Sequence, residues 1–343
     1  MKRILFLIVI INLNLFSNTN LLIEKIENSD IEAIKQILRD GENINTYNSE
    51  NVMSPLMYAS KVGNIDIVRE LLNFGAKDYE YAFYIACEYG HWNIAKELMQ
   101  VGEVNLNIAL SYASFGGQID IVNNLIEYGA TDINSALVSA SEGNHLDIIN
   151  LLLEKGANIN TYRYIQAYRN NKGAERKYPI TATTDINIIK ELIEKGATNI
   201  NEALLYNAKN NTNNNDIIFE LIDLGADVNY ANPLNGTTTL MYMIEKENVK
   251  DEDIKKLIEI GANVNSKDRS GNTVLIRALM YNYTKPIDEN YSTYKTMYTP
   301  LSIIKLLVEN GASPNERNSF GNTAKSIASK YKRKDIIEYF DTK

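Results

Sequence analysis

The chain has 343 residues, of which 45% are apolar and 23% charged, with only 6 prolines and 18 glycines. This composition excludes collagen-like and wholly disordered proteins. A net charge of −8 disfavours nucleic-acid binding, which needs clustered Lys and Arg, and the single cysteine excludes an internal disulfide and a Cys-based zinc site.

The first 19 residues differ from the rest of the chain. Lys2 and Arg3 precede an apolar run over residues 4–11, which continues to residue 16 with two asparagines that weaken it. Ser17 and Thr19 are small residues in positions that favour cleavage after residue 19. A charged start followed by a short apolar run is typical of a secretory signal peptide and is too short for a comfortable membrane span. We therefore expect an exported protein, periplasmic or secreted. An uncleaved membrane tether and an ordinary buried first helix are the alternatives.

One phrase, Asp-Ile-Val-x-x-Leu-Leu-x-x-Gly-Ala, recurs along the remaining chain. Its apolar positions precede the glycine by eight, seven, four and three residues, which is one stripe of a helix. The glycine is expected to end that helix, because the residue after a helix commonly takes a left-handed backbone. The clearest copies end at Gly75, Gly129, Gly156, Gly196 and Gly225, and weaker copies end at Gly41, Gly102, Gly261 and Gly311.

A second, shorter helix is predicted upstream of each of these helices. Each is marked by one residue, usually small, that lets neighbouring helices approach closely: Ala59, Ala86, Ala113, Ala140, Ala167, Ala208, Met243, Ala278 and Ala328. The repeating unit is therefore helix, tight turn, helix, Gly-Ala, loop.

This unit resembles the ankyrin repeat. The copy from Ser54 to Ala76 follows the family pattern Thr-Pro-Leu-His-x-Ala and Gly-x-x-x-Ile-Val-x-x-Leu-Leu-x-x-Gly-Ala, with Met57 in place of the histidine. The resemblance implies an all-α solenoid of about ten repeats over residues 20–343. It also implies that His91 and His145, which fall in turns between helices, form structural hydrogen bonds.

The loops between repeats vary in length. From Gly75 to Ala86 the separation is 11 residues, but from Gly261 to Ala278 it is 17. The longer separation leaves room for the family's β-hairpin fingers, which we expect in the first and last repeats only. Predicted helix caps are Ser54, Thr238, Thr273 and Thr323 beside the fingers, and Asn107, Asn134 and Asn201 in short repeats.

Two repeats carry insertions, of about 13 and 17 residues, which we place between paired helices near residues 170–184 and 281–300. Insertions in repeat arrays form surface loops, and Tyr and Arg are common interface anchors. The predicted partner-binding residues are Tyr162, Arg163, Tyr164, Arg169, Tyr281, Tyr283, Tyr291, Tyr294 and Tyr298. Neutral variation in a chain with 22 tyrosines explains the same loops equally well.

The resemblance implies a non-catalytic module that binds a protein partner through its concave face and loops. We expect no enzymatic activity, cofactor, metal, nucleic acid or small-molecule substrate, because no catalytic or phosphate-binding motif interrupts the repeats. With its signal-like start, the chain looks like an exported bacterial protein. A membrane-tethered periplasmic adaptor and a secreted, host-directed protein remain open.

Overall fold

The computed structural model describes residues 20–47, 52–165, 175–210, 215–247, 249–286 and 294–342. These residues form helices and two small antiparallel two-stranded sheets. The chain divides into two compact units between Ile188 and Ile189, inside one helix. The predicted signal peptide, residues 1–19, lies outside the described residues.

The first unit is a stack of helix pairs. Its elements are α1 (20–27), α2 (Ile31–Arg39), α3 (Pro55–Val62), α4 (Ile65–Asn73), α5 (Tyr79–Glu88), α6 (Trp92–Leu98), α7 (Leu106–Phe115), α8 (Ile119–Glu127), α9 (Ile133–Glu142), α10 (Leu146–Glu154), β1 (Arg163–Ile165), β2 (Glu175–Lys177) and α11 (Pro179–Ala182), followed by α12 (Ile186–Glu194), which contains the boundary. The first helices of successive repeats pack in the order α3, α5, α7, α9, α11.

The second unit is built in the same way. Its elements are α13 (Ile200–Lys209), α14 (Asp216–Asp223), α15 (Thr239–Ile244), α16 (Asp251–Glu259), α17 (Val274–Met280), β3 (Asn282–Pro286), β4 (Tyr294–Tyr298), α18 (Leu301–Glu309), α19 (Ala324–Lys330) and α20 (Lys334–Asp341). Helices α13, α15, α17 and α19 pack in sequence, as do α16, α18 and α20. The predicted all-α fold of stacked helix pairs with short hairpins is confirmed.

The repeated apolar positions form the core of each unit. On α4, Ile67, Val68 and Leu71 are fully buried, as the stripe before Gly75 predicts. Ala59 and Ala86 are also fully buried, and α3 packs on α5 there. Small side chains at these positions allow the close approach.

Left-handed glycines end most of the second helices as predicted. Gly75 has a φ of +88°, and the backbone N–H groups of Gly75 and Ala76 donate to the carbonyls of Leu72 and Leu71. This is the hydrogen-bond pattern of a Schellman cap. Gly102 is the exception among the predicted glycines, because it is not left-handed and α6 already ends at Leu98, so the prediction is wrong there.

Both histidines hold neighbouring turns together. Nε2 of His91 lies 3.1 Å from the carbonyl oxygen of Lys61, and Nε2 of His145 lies 2.9 Å from that of Phe115. Each ring packs directly on a glycine of the preceding turn, Gly63 or Gly117. The structural function expected for these residues is confirmed.

The capping predictions divide into two groups. Ser54, Thr238, Thr273 and Thr323 each accept a backbone N–H from the first turn of the following helix, as predicted. The predicted caps Asn107, Asn134 and Asn201 are wrong, because they lie inside the first helical turn. Their Oδ1 atoms accept backbone N–H groups of the next repeat, from Thr131 at 2.7 Å, Asn158 at 2.8 Å and Asp227 at 2.7 Å respectively.

Short fingers are present in the last repeats. Isolated antiparallel bridges join Ala231 to Thr238 and Lys267 to Thr273, and Gly236 and Gly271 have positive φ. In the first repeat, residues 48–51 of the predicted finger lie outside the described residues.

The two insertions differ in position. The second forms the hairpin β3–β4 between α17 and α18, as predicted. For the first, the prediction of a position between paired helices is wrong. Its hairpin β1–β2 precedes the first helix of its repeat, α11, which begins with Pro179 after Tyr178 in the N-cap position. After α11, the buried residue Thr183 leads directly to α12. The inserted residues therefore lengthen the loop before this helix pair, not the turn within it.

Candidate interaction surfaces

The β1–β2 hairpin is fastened to α9 by charge. Arg163 on β1 and Lys177 on β2 face each other in register, and both pair with the carboxylate of Glu142, Lys177 at 2.5 Å. Arg163 also donates to the hydroxyl of Ser139 at 3.1 Å, and Lys177 is only 8% exposed. Such partly buried, charge-assisted bonds fix the hairpin against the helix.

Tyrosine rings cluster on the same hairpin. The ring of Tyr162 lies 5.2 Å from that of Tyr164 and 5.7 Å from that of Tyr178, and the guanidinium of Arg176 lies 4.7 Å from the Tyr162 ring centre. Hydrogen bonds from Tyr162 and Arg176 lower the pKa of Tyr164. Tyr162 and Tyr164 are 40% and 59% exposed.

The structure thus separates the predicted binding residues of this loop. Tyr162 and Tyr164 are available on the surface, whereas Arg163 is occupied by Ser139 and Glu142. Arg169 lies outside the described residues. Arg163 therefore holds the hairpin against α9.

Sequence reasoning missed a second surface, formed by α5 and α7. Tyr81, Ile108 and Phe115 are 56%, 42% and 43% exposed, and the rings of Tyr84 and Tyr112 stack between the two helices with centres 5.5 Å apart. We call these five residues the α5–α7 patch. Clustered exposed apolar side chains commonly mark an interaction site. In the sequence they read as ordinary helix positions, because only packing decides which face of each helix is covered.

An acidic side chain borders this patch. Glu88, the last residue of α5, is half-buried, and burial raises the pKa of its carboxyl while nearby Lys61 opposes that rise. Burial and the charge of Glu88 raise the pKa of Tyr112 in turn. The patch therefore combines exposed rings with a negative charge that is poorly solvated.

In the second unit, Tyr281 lines two adjoining hollows of about 350 Å³ and 290 Å³, both of which also include Glu245. Arg277 anchors the first hollow. Its Nε and Nη2 atoms each lie 2.8 Å from a Glu245 oxygen, and Nη1 lies 3.0 Å from Asp268 Oδ2. Buried Lys246 lines the second hollow, and burial lowers its pKa.

Three other predicted tyrosines of the second insertion belong to the β3–β4 hairpin. Tyr283 and Tyr294 lie in β3 and β4. The ring of Tyr298 lies 6.2 Å from that of Tyr331 and 5.4 Å from the guanidinium of Arg333. Tyr291 falls outside the described residues.

Other kinds of site are not apparent in the part of the chain that the structure covers. No cluster of three His, Cys, Asp or Glu residues there could hold a metal ion. None of the described helices is long and apolar enough to cross a membrane. Cys87 is fully buried, and burial raises the pKa of its thiol.

Three segments of the chain, residues 22–108, 83–163 and 204–288, match the family model for ankyrin repeats, and together they span well over half of its length. The chain belongs to the ankyrin repeat family. No sequence among curated proteins matches it significantly. Ankyrin repeats generally mediate protein–protein interaction and are typically non-catalytic, and the two surfaces on the first ankyrin unit suit that function.

Proposed function

We propose that this ankyrin repeat protein captures a protein partner through its first unit, using the α5–α7 patch together with the β1–β2 hairpin, and that it has no catalytic activity. The observation that carries the proposal is the exposure of Tyr81, Ile108 and Phe115 on adjacent, closely packed helices. Tyrosine and other large side chains supply much of the binding energy of protein interfaces.

The rigidity of the support favours binding. The rings of Tyr84 and Tyr112 are stacked between α5 and α7, so the patch needs little ordering when a partner arrives. The hairpin is likewise held by Glu142 before any partner binds. Preorganised surfaces bind more tightly because less conformational entropy is lost.

We propose further that the protein acts outside the cytoplasm, in the periplasm or as a secreted protein. The signal-like pattern of residues 1–19 supports this location. If that segment is not cleaved, the protein is a membrane-tethered periplasmic adaptor. If the segment is cleaved and the protein is secreted, a host-directed interaction protein is the other candidate. Intact-mass measurement of the native protein separates these cases, since cleavage removes about 19 residues.

The binding surface is tested by crosslinking and affinity purification from the native cells. We expect a variant with Tyr81→Ser and Phe115→Ser to lose its partner, whereas Tyr128→Ser, which alters an equally exposed ring on another helix end, retains it. Circular dichroism of each variant verifies that the helices remain. Recovery of the same partner with the native protein, the double variant and Tyr128→Ser would contradict the proposed surface.

The hairpin is tested separately. Replacing Tyr162 and Tyr164 with serine removes two exposed rings without touching the Arg163 and Lys177 anchors. We expect weaker partner capture with unchanged helical content. Undiminished capture would show that the hairpin tyrosines do not contribute.

A further inference from the structure

We propose that the α5–α7 patch binds an extended segment of its partner whose lysine or arginine pairs with Glu88. This inference rests on the proposed function and specifies the chemistry of the partner. It is carried by a comparison between two glutamates of the first unit, Glu88 and Glu142.

These two glutamates occupy equivalent positions. Glu88 is the last residue of the ten-residue helix α5, and Glu142 is the last residue of the ten-residue helix α9. Each comes two residues after a fully buried alanine, Ala86 or Ala140, and each is followed by the tight turn between paired helices. The repeat therefore places both carboxylates at the same position of first helices that lie two repeats apart, with α7 between them.

Glu142 shows what this position accepts. It receives Arg163 and Lys177 from two extended strands that lie against the C-terminal end of α9. The neighbouring hydroxyl of Ser139, one turn earlier on α9, takes a further bond from Arg163. An extended, basic segment docked on the end of a first helix is thus already present inside the molecule.

Glu88 has no such basic partner. Within the described residues its carboxylate forms neither an ion pair nor a hydrogen bond, although the residue is half-buried. Lys61, the nearby cation, has its ammonium 5.3 Å from the ring of Tyr89 and 5.9 Å from that of Tyr58. A partly buried carboxylate without a partner is costly, and an incoming cation relieves that cost.

The surroundings of Glu88 add to this preference. Tyr112 lies beside it, and tyrosine rings attract Lys and Arg as well as apolar groups. At the equivalent end of α7 stands Phe115, which is exposed and uncharged. A matching segment therefore carries a cation for Glu88 and apolar side chains for Phe115 and Ile108. The net charge of −8 favours approach of a basic segment.

Fluorescence anisotropy with a labelled short peptide of alternating arginine and leucine tests the inference on the full chain. The comparison peptide has glutamate in place of arginine. We expect the basic peptide to bind the native protein and to bind Glu88→Gln about tenfold more weakly, as loss of a charge-assisted contact implies. Glu127→Gln, at the exposed end of α8, is the matched control and should leave the affinity unchanged.

Three results would overturn the inference. The first is equal affinity of Glu88→Gln and Glu127→Gln for the basic peptide, and the second is equal binding of the acidic peptide. The third is self-association of the native protein that Glu88→Gln abolishes, since this would assign the patch to a second copy. Circular dichroism of Glu88→Gln verifies that its helices are intact.

The proposed function is judged on a different readout. If partner capture from cells depends on Tyr81 and Phe115 but is the same for Glu88→Gln, the patch is the binding surface and the basic-segment inference is wrong. If capture is insensitive to all three residues, the proposed surface itself is wrong.

Discussion

Asn107 links its repeat to the next, because its Oδ1 accepts hydrogen bonds from the backbone N–H groups of Thr131 at 2.7 Å and Asp132 at 3.0 Å. The same bridge recurs at other repeats. Asn45 bonds Lys77, Asn134 bonds Asn158, Asn201 bonds Asp227, and Asn229 bonds Asn263. At each of these five junctions, one amide side chain therefore satisfies loop N–H groups that the helices leave without partners.

Replacing Asn107 with alanine tests the importance of this bridge. The variant leaves the N–H groups of Thr131 and Asp132 without their acceptor, so we expect the free energy of unfolding to fall by about 1–2 kcal/mol. Urea denaturation followed by circular dichroism measures the change. Asn124→Ala on α8 removes an amide with no such bridge and should alter stability by less than about 0.5 kcal/mol. Equal losses in the two variants would argue against the bridge.

Substitutions at Gly117 and Gly129 separate the cost of a left-handed backbone from the cost of a steric clash. Both have positive φ, at +76° and +105°, but a Cβ on Gly117 would lie 2.5 Å from the ring of His145, whereas a Cβ on Gly129 would meet nothing within 4 Å. We expect Gly129→Ala to cost about 1–2 kcal/mol from backbone strain alone. Gly117→Ala should cost more, because the ring must leave its bond to the Phe115 carbonyl.

The histidine contribution is isolated by a double-mutant cycle. Combining Gly117→Ala with His145→Ala removes the steric conflict, so the two losses should sum to more than the loss of the double variant. Additive losses in urea denaturation would show that the ring and the new methyl group do not interact.

Cys87 should be unreactive in the folded protein. Its side chain is fully buried on α5, and burial raises the pKa of the thiol, while the thiolate is the reactive form. We expect a colorimetric disulfide reagent to react slowly with native protein and rapidly in urea. Because the chain has one cysteine, the signal has a single source. Rapid reaction without denaturant would contradict the burial.

Arg277 should be important for the stability of the second unit. It bonds both oxygens of Glu245 and one oxygen of Asp268, whose side chain is 8% exposed, so Arg277→Met removes the cation that these two carboxylates share. We expect a loss of about 3 kcal/mol in urea denaturation, as for other buried charges that lose a partner. Lys255→Met, which breaks an exposed pair with Glu259, is the control and should cost only a few tenths of a kcal/mol.

Some features of the fold could be read directly from the chain because they depend on neighbours in sequence. The apolar stripe before Gly75 determines a helix and its buried face, and the glycine determines where that helix ends. Threonines such as Thr238 cap the helix that follows them. Asparagine is also abundant in the sequence, but no local pattern shows what its side chains bond. Only the junctions between repeats show its structural use.

The first insertion marks the limit of such reading. Ala167 looks like the small residue of a first helix, yet the helix that packs on α9 is α11, which begins at Pro179. The choice depends on contacts over a long sequence separation, such as that of Lys177 with Glu142, which no local pattern contains.

By itself, then, the sequence determined the repeating helix pair, its serine and threonine caps and its ankyrin family, since helix periodicity and turn chemistry act over a few residues. Only the tertiary structure decided that Arg163 faces inward to Glu142, that Tyr162 faces outward, and that α5 and α7 expose an aromatic patch beside Glu88. Exposure and charge pairing are properties of surfaces assembled from distant segments, so they arise when the repeats stack.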